Sequence, residues 1–433
     1  MVVGKGAKLM SSLPERIGNF FKSLGGRHRS GISDFLNFAG PGLLVTVGFI
    51  DPGNWATNVA AGSQFGLSLL WVVTLSTIML ILLQHNVAHL GIVTGLCLSE
   101  AVSRYFPRWL TIPVLGSAVL AGIATQLAEI LGAAIGLRML TGLPIILGAM
   151  LSSGLVVYML FSNSYRKLEK WIMGFVTLIG LAFLFELTLV PIEWKAAAQA
   201  WVTPAFPGGS WTILMGILGA VVMPHNLFLH SEIIQSRQWN KESEEVIARE
   251  LRFEFLDTMF SMIVGWAINS SMILMAAGAF YSTGHPIVEL EEAQHLLKPL
   301  LGDASATVFA IALLMAGFAS SVTAGMAGGS IFAGIFDEPY NINDSHTILG
   351  IGITVTGAMS LLLLVSNPFR ALILSQVLLS IQLPITIVAQ IYLTSSTAVM
   401  GKYANNHMQI ILLSATALLV IVFNVMLLWS TLT

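Results

Sequence analysis

Apolar residues run in stretches of about twenty, parted by short polar segments, the length a helix needs to cross a bilayer. Eleven spans are predicted, near residues 37–65, 68–94, 112–139, 143–161, 171–191, 210–236, 253–280, 305–335, 346–365, 371–394 and 409–431. Two of them are interrupted by polar strings, Asp51-Pro52-Gly53-Asn54 and Met223-Pro224-His225-Asn226. Proline removes a backbone donor and clashes with the preceding turn, so both helices should break there. A broken helix at membrane depth survives only where it is buried in protein or lines a polar cavity. Two breaks therefore point to a binding site near the bilayer midplane, between the halves of a transporter.

The order of the spans gives the organisation. Residues 1–35 read as a basic cytoplasmic tail, 36–191 as a first five-helix repeat, 210–394 as a second and 409–433 as an eleventh helix outside the repeat. Each broken span opens its set of five. An odd number per set inserts the second set upside down, the outline of a 5+5 inverted repeat. The chain is thus expected to be an all-α membrane protein.

Composition agrees. The 433 residues are 55% hydrophobic and 10% charged, against about 25% charged in an average soluble protein, and mean hydropathy is +0.82. The single cysteine, Cys97, excludes an internal disulfide framework and a multi-cysteine metal site.

Charge sets the orientation. With the N-terminus inside, sixteen basic residues fall on the cytoplasmic side: Lys5, Lys8, Arg16, Lys22, Arg27 and Arg29 in the tail, then Arg104, Arg108, Arg166, Lys167, Lys170, Arg237, Lys241, Arg249, Arg252 and Lys402. Four fall outside: Arg138, Lys195, Lys298 and Arg370. This bias predicts a multi-pass cell-membrane protein with a cytoplasmic N-terminus and an extracellular C-terminus. The basic tail reads as a topology signal and a contact for anionic lipid; no nucleic-acid partner is expected. A monomer is expected.

The breaks carry metal-ligand chemistry. Asp51 is a carboxylate at membrane depth, costly without a partner; its bland reading is a helix cap. Asn54 adds an amide oxygen, and Gly53 lets the backbone turn. Pro224 denies the Ala220 carbonyl, four residues back, its usual donor. Met223 adds a thioether, which elsewhere would be read as packing. Such a mixed hard and soft set suits Mn²⁺ or Fe²⁺ better than Mg²⁺ or Ca²⁺.

The two strings in this order resemble the Nramp family of divalent-metal transporters, and the likeness runs from about Phe38 to Thr431. Phe38-Ala39-Gly40-Pro41-Gly42, the string MPHNLFLHS from Met223 to Ser231, and Leu372-Ile373-Leu374-Ser375-Gln376 are similar to the family's first, sixth and tenth spans. The resemblance implies a LeuT-type fold with broken helices 1 and 6. It implies transport of divalent transition metals as substrate, with no resident cofactor, and protons as a second partner. It also implies metal ligands at Asp51, Asn54, the Ala220 carbonyl and Met223, with the Gly48 carbonyl and the Gln376 side chain joining in some conformations.

The resemblance fails in part along the proton route. Glu129 matches one of two span-3 acids, but Gln126 stands where the other is usually Asp, and an amide cannot carry a proton near neutral pH. His225 and Arg237 are kept. The start of span 9, Asp344-Ser345-His346-Thr347, lacks the arginines of many relatives. Weak or absent coupling through this route is expected. Two compensations are open: Glu232, on the same helix face as His225, or Asp51 itself with Glu129 and His225 as the onward path. The bland readings are a solvated acid for Glu232 and a brace for His225.

Other candidates weigh less. His85 and His89 are four apart and could clip a metal, but no third ligand is evident. Asp257 and Glu186 fall near span ends. Gly328, Gly329 and the small residues from Ala316 to Ser321 fit close helix packing or a pathway. Alternatives are a Mg²⁺ carrier of the same family, disfavoured by Met223; an amino-acid carrier of the LeuT type; a transport-inactive sensor, which would need a large soluble domain; and an intramembrane hydrolase, for which no H-E-x-x-H occurs.

Overall fold

The computed structural model describes residues 50–162, 192–281, 286–296 and 305–432, with Gly174 and Gly284 also placed. The basic tail, the first half of span 1 with Gly48 and the Phe38–Gly42 string, span 5 with Glu186, the loop bases Arg166, Lys167 and Lys170, and Lys298 lie outside the described residues.

The described chain is helical, without a strand. In order it forms α1 (Pro52–Phe65), α2 (Leu70–Thr94), α3 (Leu98–Tyr105), α4 (Arg108–Thr141), α5 (Ile145–Ser162), α6 (Trp194–Ala200), α7 (Trp211–Val221), α8 (Pro224–Gln235), α9 (Glu244–Ala279), α10 (Ser305–Gly334), α11 (Ser345–Leu362), α12 (Pro368–Ser395) and α13 (His407–Leu432). Among the described residues nine helices are long and apolar enough to cross a membrane, counting α7 and α8 as one broken span. This is a multi-pass membrane protein.

The second predicted break is present, and the described half of span 1 starts at the first. α1 starts at Pro52, where a proline ring costs no hydrogen bond; Asp51 before it is extended, at φ −70° and ψ 159°. α7 stops at Val221 and α8 restarts at Pro224, with Val222 and Met223 non-helical between them. The break is buried: 94% of the most apolar window of Trp211–Gln235 is inside the protein, against 33% for α5 and for α13. The eleventh span is therefore peripheral, showing Ile411, Leu418, Val425 and Leu428 outwards.

One span departs from the sequence expectation. α9 begins at Glu244, nine residues before the apolar run at 253. Its 36 residues give about 54 Å of helix at ~1.5 Å per residue, longer than the ~30 Å hydrocarbon layer. Hydropathy marks where the membrane ends and not where the helix ends. Asp257 is consequently well inside the helix and buried, not at a wet end.

Small residues hold the core together. A Cβ at Gly317 of α10 would sit 2.7 Å from the Glu129 carbonyl oxygen of α4, and one at Gly136 of α4 would sit 2.7 Å from the Ala310 carbonyl oxygen. These helices touch backbone to backbone, as small residues allow in membranes. Gly328 and Gly329 give the same closeness to α11, against Thr354 and Ile351. Gly317, Gly328 and Gly329 of span 8 are thus at close helix contacts, while Ser320 donates to Glu129.

Candidate metal-binding site at the two helix breaks

Asp51 caps α1 with one oxygen. Its Oδ1 accepts from the Asn54 backbone amide and, at 3.0 Å, from Asn54 Nδ2. The second oxygen, Oδ2, accepts from no donor among the described residues. Both readings of this residue thus hold together: one oxygen ends the helix and the other is left over. Trp55 fixes the turn, since its Nε1 donates to the Ile50 carbonyl at 2.9 Å. Pro52 packs where a side chain at Gly132 of α4 would have to go.

The second break arrives at the same point. The Ala220 carbonyl, deprived of a helical donor by Pro224, accepts from Asn54 Nδ2 at 2.8 Å. Met223 is buried three residues on, and its sulfur accepts only a long contact from Asn226 Nδ2, at 3.4 Å. Gln376 of α12 closes the group. Its side chain fills the space over Gly53, and its backbone presses on Gly219 of α7, where a Cβ would have no room. Its Nε2 donates to Ser375 Oγ at 3.2 Å and its Oε1 has no donor. Asp51, Asn54, Ala220, Met223 and Gln376 are all buried. One carboxylate oxygen, a backbone carbonyl and an amide oxygen thus meet with unused acceptor capacity, while the Met223 side chain, three residues from the carbonyl, packs with Ala121 and Leu379. Buried acceptors in that state suit a cation.

The residues of the proton route divide. Glu129 faces Asp51 and accepts from Ser320 Oγ of α10. His225 meets Thr125 Oγ1 of α4 at 3.1 Å, a brace between the second break and span 3. Gln126 is fully buried, and neither end of its amide has a partner. Arg237 is not part of the group: its guanidinium lies 5.6 Å over the Trp239 ring and pairs with no acid among the described residues. Glu232 is buried rather than solvated, and accepts from Ser330 Oγ of α10 at 2.8 Å.

His85 and His89 do acquire a neighbour. His85 Nδ1 meets Glu254 of α9, and His230 Nε2 stands 3.5 Å from the other Glu254 oxygen. His89 turns to the Tyr403 ring. No group of three or more His, Cys, Asp or Glu among the described residues is placed to hold a metal. The hydrophobic pattern does not single out Glu254, because the apolar run starts one residue before it. Ser320 and Thr125 carry no signal beyond their place on apolar spans.

Comparison with known proteins identifies the family. The family described as natural resistance-associated macrophage protein-like (Nramp) matches over residues 42–430. A divalent metal cation transporter MntH of Verminephrobacter eiseniae is 39% identical over 421 residues, covering 94% of this chain and 92% of the relative. That of Granulibacter bethesdensis is 37% identical over 411 residues, covering 94% and 91%. The manganese transporter of Eremococcus coleocola superposes with a TM-score of 0.79 at 28% identity, covering 92% of this chain and 87% of that one. Mhp1, a nucleobase-cation-symport-1 family transporter, superposes at 0.61 with 14% identity over 91% and 92% of the two chains, a likeness of LeuT-type fold alone. With the family matched over nearly the whole chain, this protein belongs to the Nramp family.

Proposed function

We propose that this chain is a secondary transporter of divalent transition metals, with Mn²⁺ and Fe²⁺ as substrates and Cd²⁺ also accepted. Asp51, Asn54, the Ala220 carbonyl and Met223 would take the ion, with the Gln376 side chain as a further ligand. The observation that carries the reading is the Asn54–Ala220 hydrogen bond beside an Asp51 oxygen without a donor. An arriving ion would draw the Asn54 oxygen and the Ala220 carbonyl to itself and replace that bond. Met223 would favour soft ions over Mg²⁺ and Ca²⁺. The MntH names of the relatives support the same substrate class.

Transport would proceed by alternating access, the broken spans 1 and 6 rocking against the other helices as a scaffold and opening the site to each face in turn. The N-terminus would be cytoplasmic. The excess of basic residues on one face supports that sidedness, and three ion pairs each join two ends assigned to the same face: Arg104 with Asp337, Lys402 with Glu244, and Arg138 with Glu291. Span 3 offers no continuous proton route, because Gln126 interrupts it. The test is purified protein in liposomes, with Mn²⁺ influx and internal pH recorded together. Absence of saturable Mn²⁺ influx would overturn the reading.

A further inference from the structure

At the end of the bundle away from the breaks, α8 is fastened to α3 and α10. The Leu98 backbone amide donates to Ser231 Oγ at 2.9 Å, Gln235 Nε2 donates to a Glu100 oxygen, and Ser330 Oγ donates to Glu232. Ser99 Oγ donates to the Ser330 carbonyl at 3.2 Å, and Arg104 joins Asp337 just beyond α10. Two carboxylates are thus closed into one seam, Glu100 at 3% exposure and Glu232 at 9%.

Their charge is only partly offset: Arg104, one turn along α3 from Glu100, attracts it from beyond ion-pair distance. Among the described residues neither acid has a Lys, Arg or His within ion-pair distance. Arg104, on α3, is committed to Asp337, and Arg237 lies over Trp239. Cys97 and Tyr340 face Glu232, and burial lifts the Tyr340 hydroxyl well above its usual range, so it stays neutral. α2, also packed on α8, turns His85 to Glu254. A further observation asks for a donor in the seam: Gln235, 6% exposed, gives its Nε2 to Glu100 while its Oε1 accepts from nothing. A protonated carboxyl has the O–H that such an acceptor needs.

We infer that Glu232, buried beside the Glu100 carboxylate, is a proton-binding site whose occupancy fastens and releases the end of α8. With one proton aboard, the pair carries a single charge and the seam closes. With none, two buried like charges repel and favour entry of water between α8, α3 and α10. Proton binding converts one carboxylate to a carboxyl; release returns the proton to the aqueous phase on that face. About nine residues of helix, roughly 13 Å at ~1.5 Å per residue, separate Glu232 from Met223 on α8, so the seam and the metal site share one rigid element. Their occupancies are then linked. The inference rests on the transport reading above for its effect on metal, but the proton site itself can be observed without transport.

Infrared difference spectra of the full-length protein in lipid, between mildly acidic and mildly alkaline buffer, would report the carboxylic C=O band directly. A band that titrates in the unmodified protein, is lost in Glu232→Gln and moves to a lower midpoint in Glu100→Gln, which removes the neighbouring negative charge, is the expected result. Ser330→Ala keeps both acids but removes a donor to the carboxylate, and should shift the band's midpoint to higher pH. Size-exclusion chromatography and thermal melting serve as the folding control for each variant. In cells with cytoplasmic pH clamped and external pH fixed, Mn²⁺ uptake should fall as the cytoplasm is acidified, and Glu232→Gln should flatten that dependence. No titrating band in the unmodified protein, or a band unchanged in folded Glu232→Gln, would overturn the inference. A band that behaves as expected with no Mn²⁺ uptake would overturn the transport reading and leave the proton site standing.

Discussion

Asn54 Nδ2 donates to the Ala220 carbonyl at 2.8 Å, joining two helix breaks 166 residues apart. The carbonyl is available because proline lies four residues after it. Its own helix cannot satisfy it, and Asn54 Nδ2, which also donates to Asp51 Oδ1, reaches across to it. A cation that binds both oxygens must part them, which ties occupancy of the site to the relative position of the broken spans.

Asp51→Asn should separate the two tasks of that residue. Asparagine caps a helix about as well as aspartate, so thermal stability without metal should change little. The anionic oxygen is lost, and Mn²⁺ binding by calorimetry and Mn²⁺ uptake should both nearly vanish. Full uptake by this variant would remove Asp51 from the site.

Asn54→Ala strips the donor from a buried carbonyl as well as a ligand from the metal. It should lower stability without metal by about 1–3 kcal/mol, the cost of an orphaned buried polar group, together with Mn²⁺ affinity. A denaturation midpoint equal to that of the unmodified protein would contradict the Asn54–Ala220 bond.

Met223→Ala should hurt Cd²⁺ uptake more than Mn²⁺ uptake and relax rejection of Mg²⁺ and Ca²⁺, because the sulfur offers little to hard ions. Competition assays with the four ions measure this. Equal losses for Cd²⁺ and Mn²⁺, with no gain for Mg²⁺ or Ca²⁺, would make the sulfur a packing group.

Two glycines beside Gln376 should respond differently. Alanine at Gly219 meets the Gln376 backbone, which cannot step aside; overpacking of about 1–3 kcal/mol is expected, read as lost folded yield. Alanine at Gly53 meets only the Gln376 side chain, so the fold should survive while Mn²⁺ affinity falls. Both readouts come from purified protein by size-exclusion chromatography and calorimetry.

Gln126→Leu should be neutral or stabilising, since it removes an amide with no partner at either end; burying such a group costs about 1–3 kcal/mol. The pH dependence of Mn²⁺ flux should be unchanged. A flattened pH profile would place Gln126 on the proton route after all.

The sequence determined the second break, the helix start at Pro52 and the apolar spans among the described residues. Proline cannot continue a helix wherever it is placed, and a bilayer demands long apolar runs, so Pro52, Pro224 and the runs around them are readable one position at a time. The freed Ala220 carbonyl follows from the same local rule. Tertiary structure alone decided the partners. Nothing in the spacing of Glu100 indicates Gln235, nothing near His85 indicates Glu254, and Arg237 looks like a member of the site until it is found over Trp239. The start of α9 at Glu244 was hidden as well, because hydropathy records the edge of the membrane while backbone hydrogen bonds carry the helix past it. Helical and apolar periodicities are properties of a segment. Which buried polar group meets which is a property of how segments pack, and in this protein that packing sets the chemistry of the site.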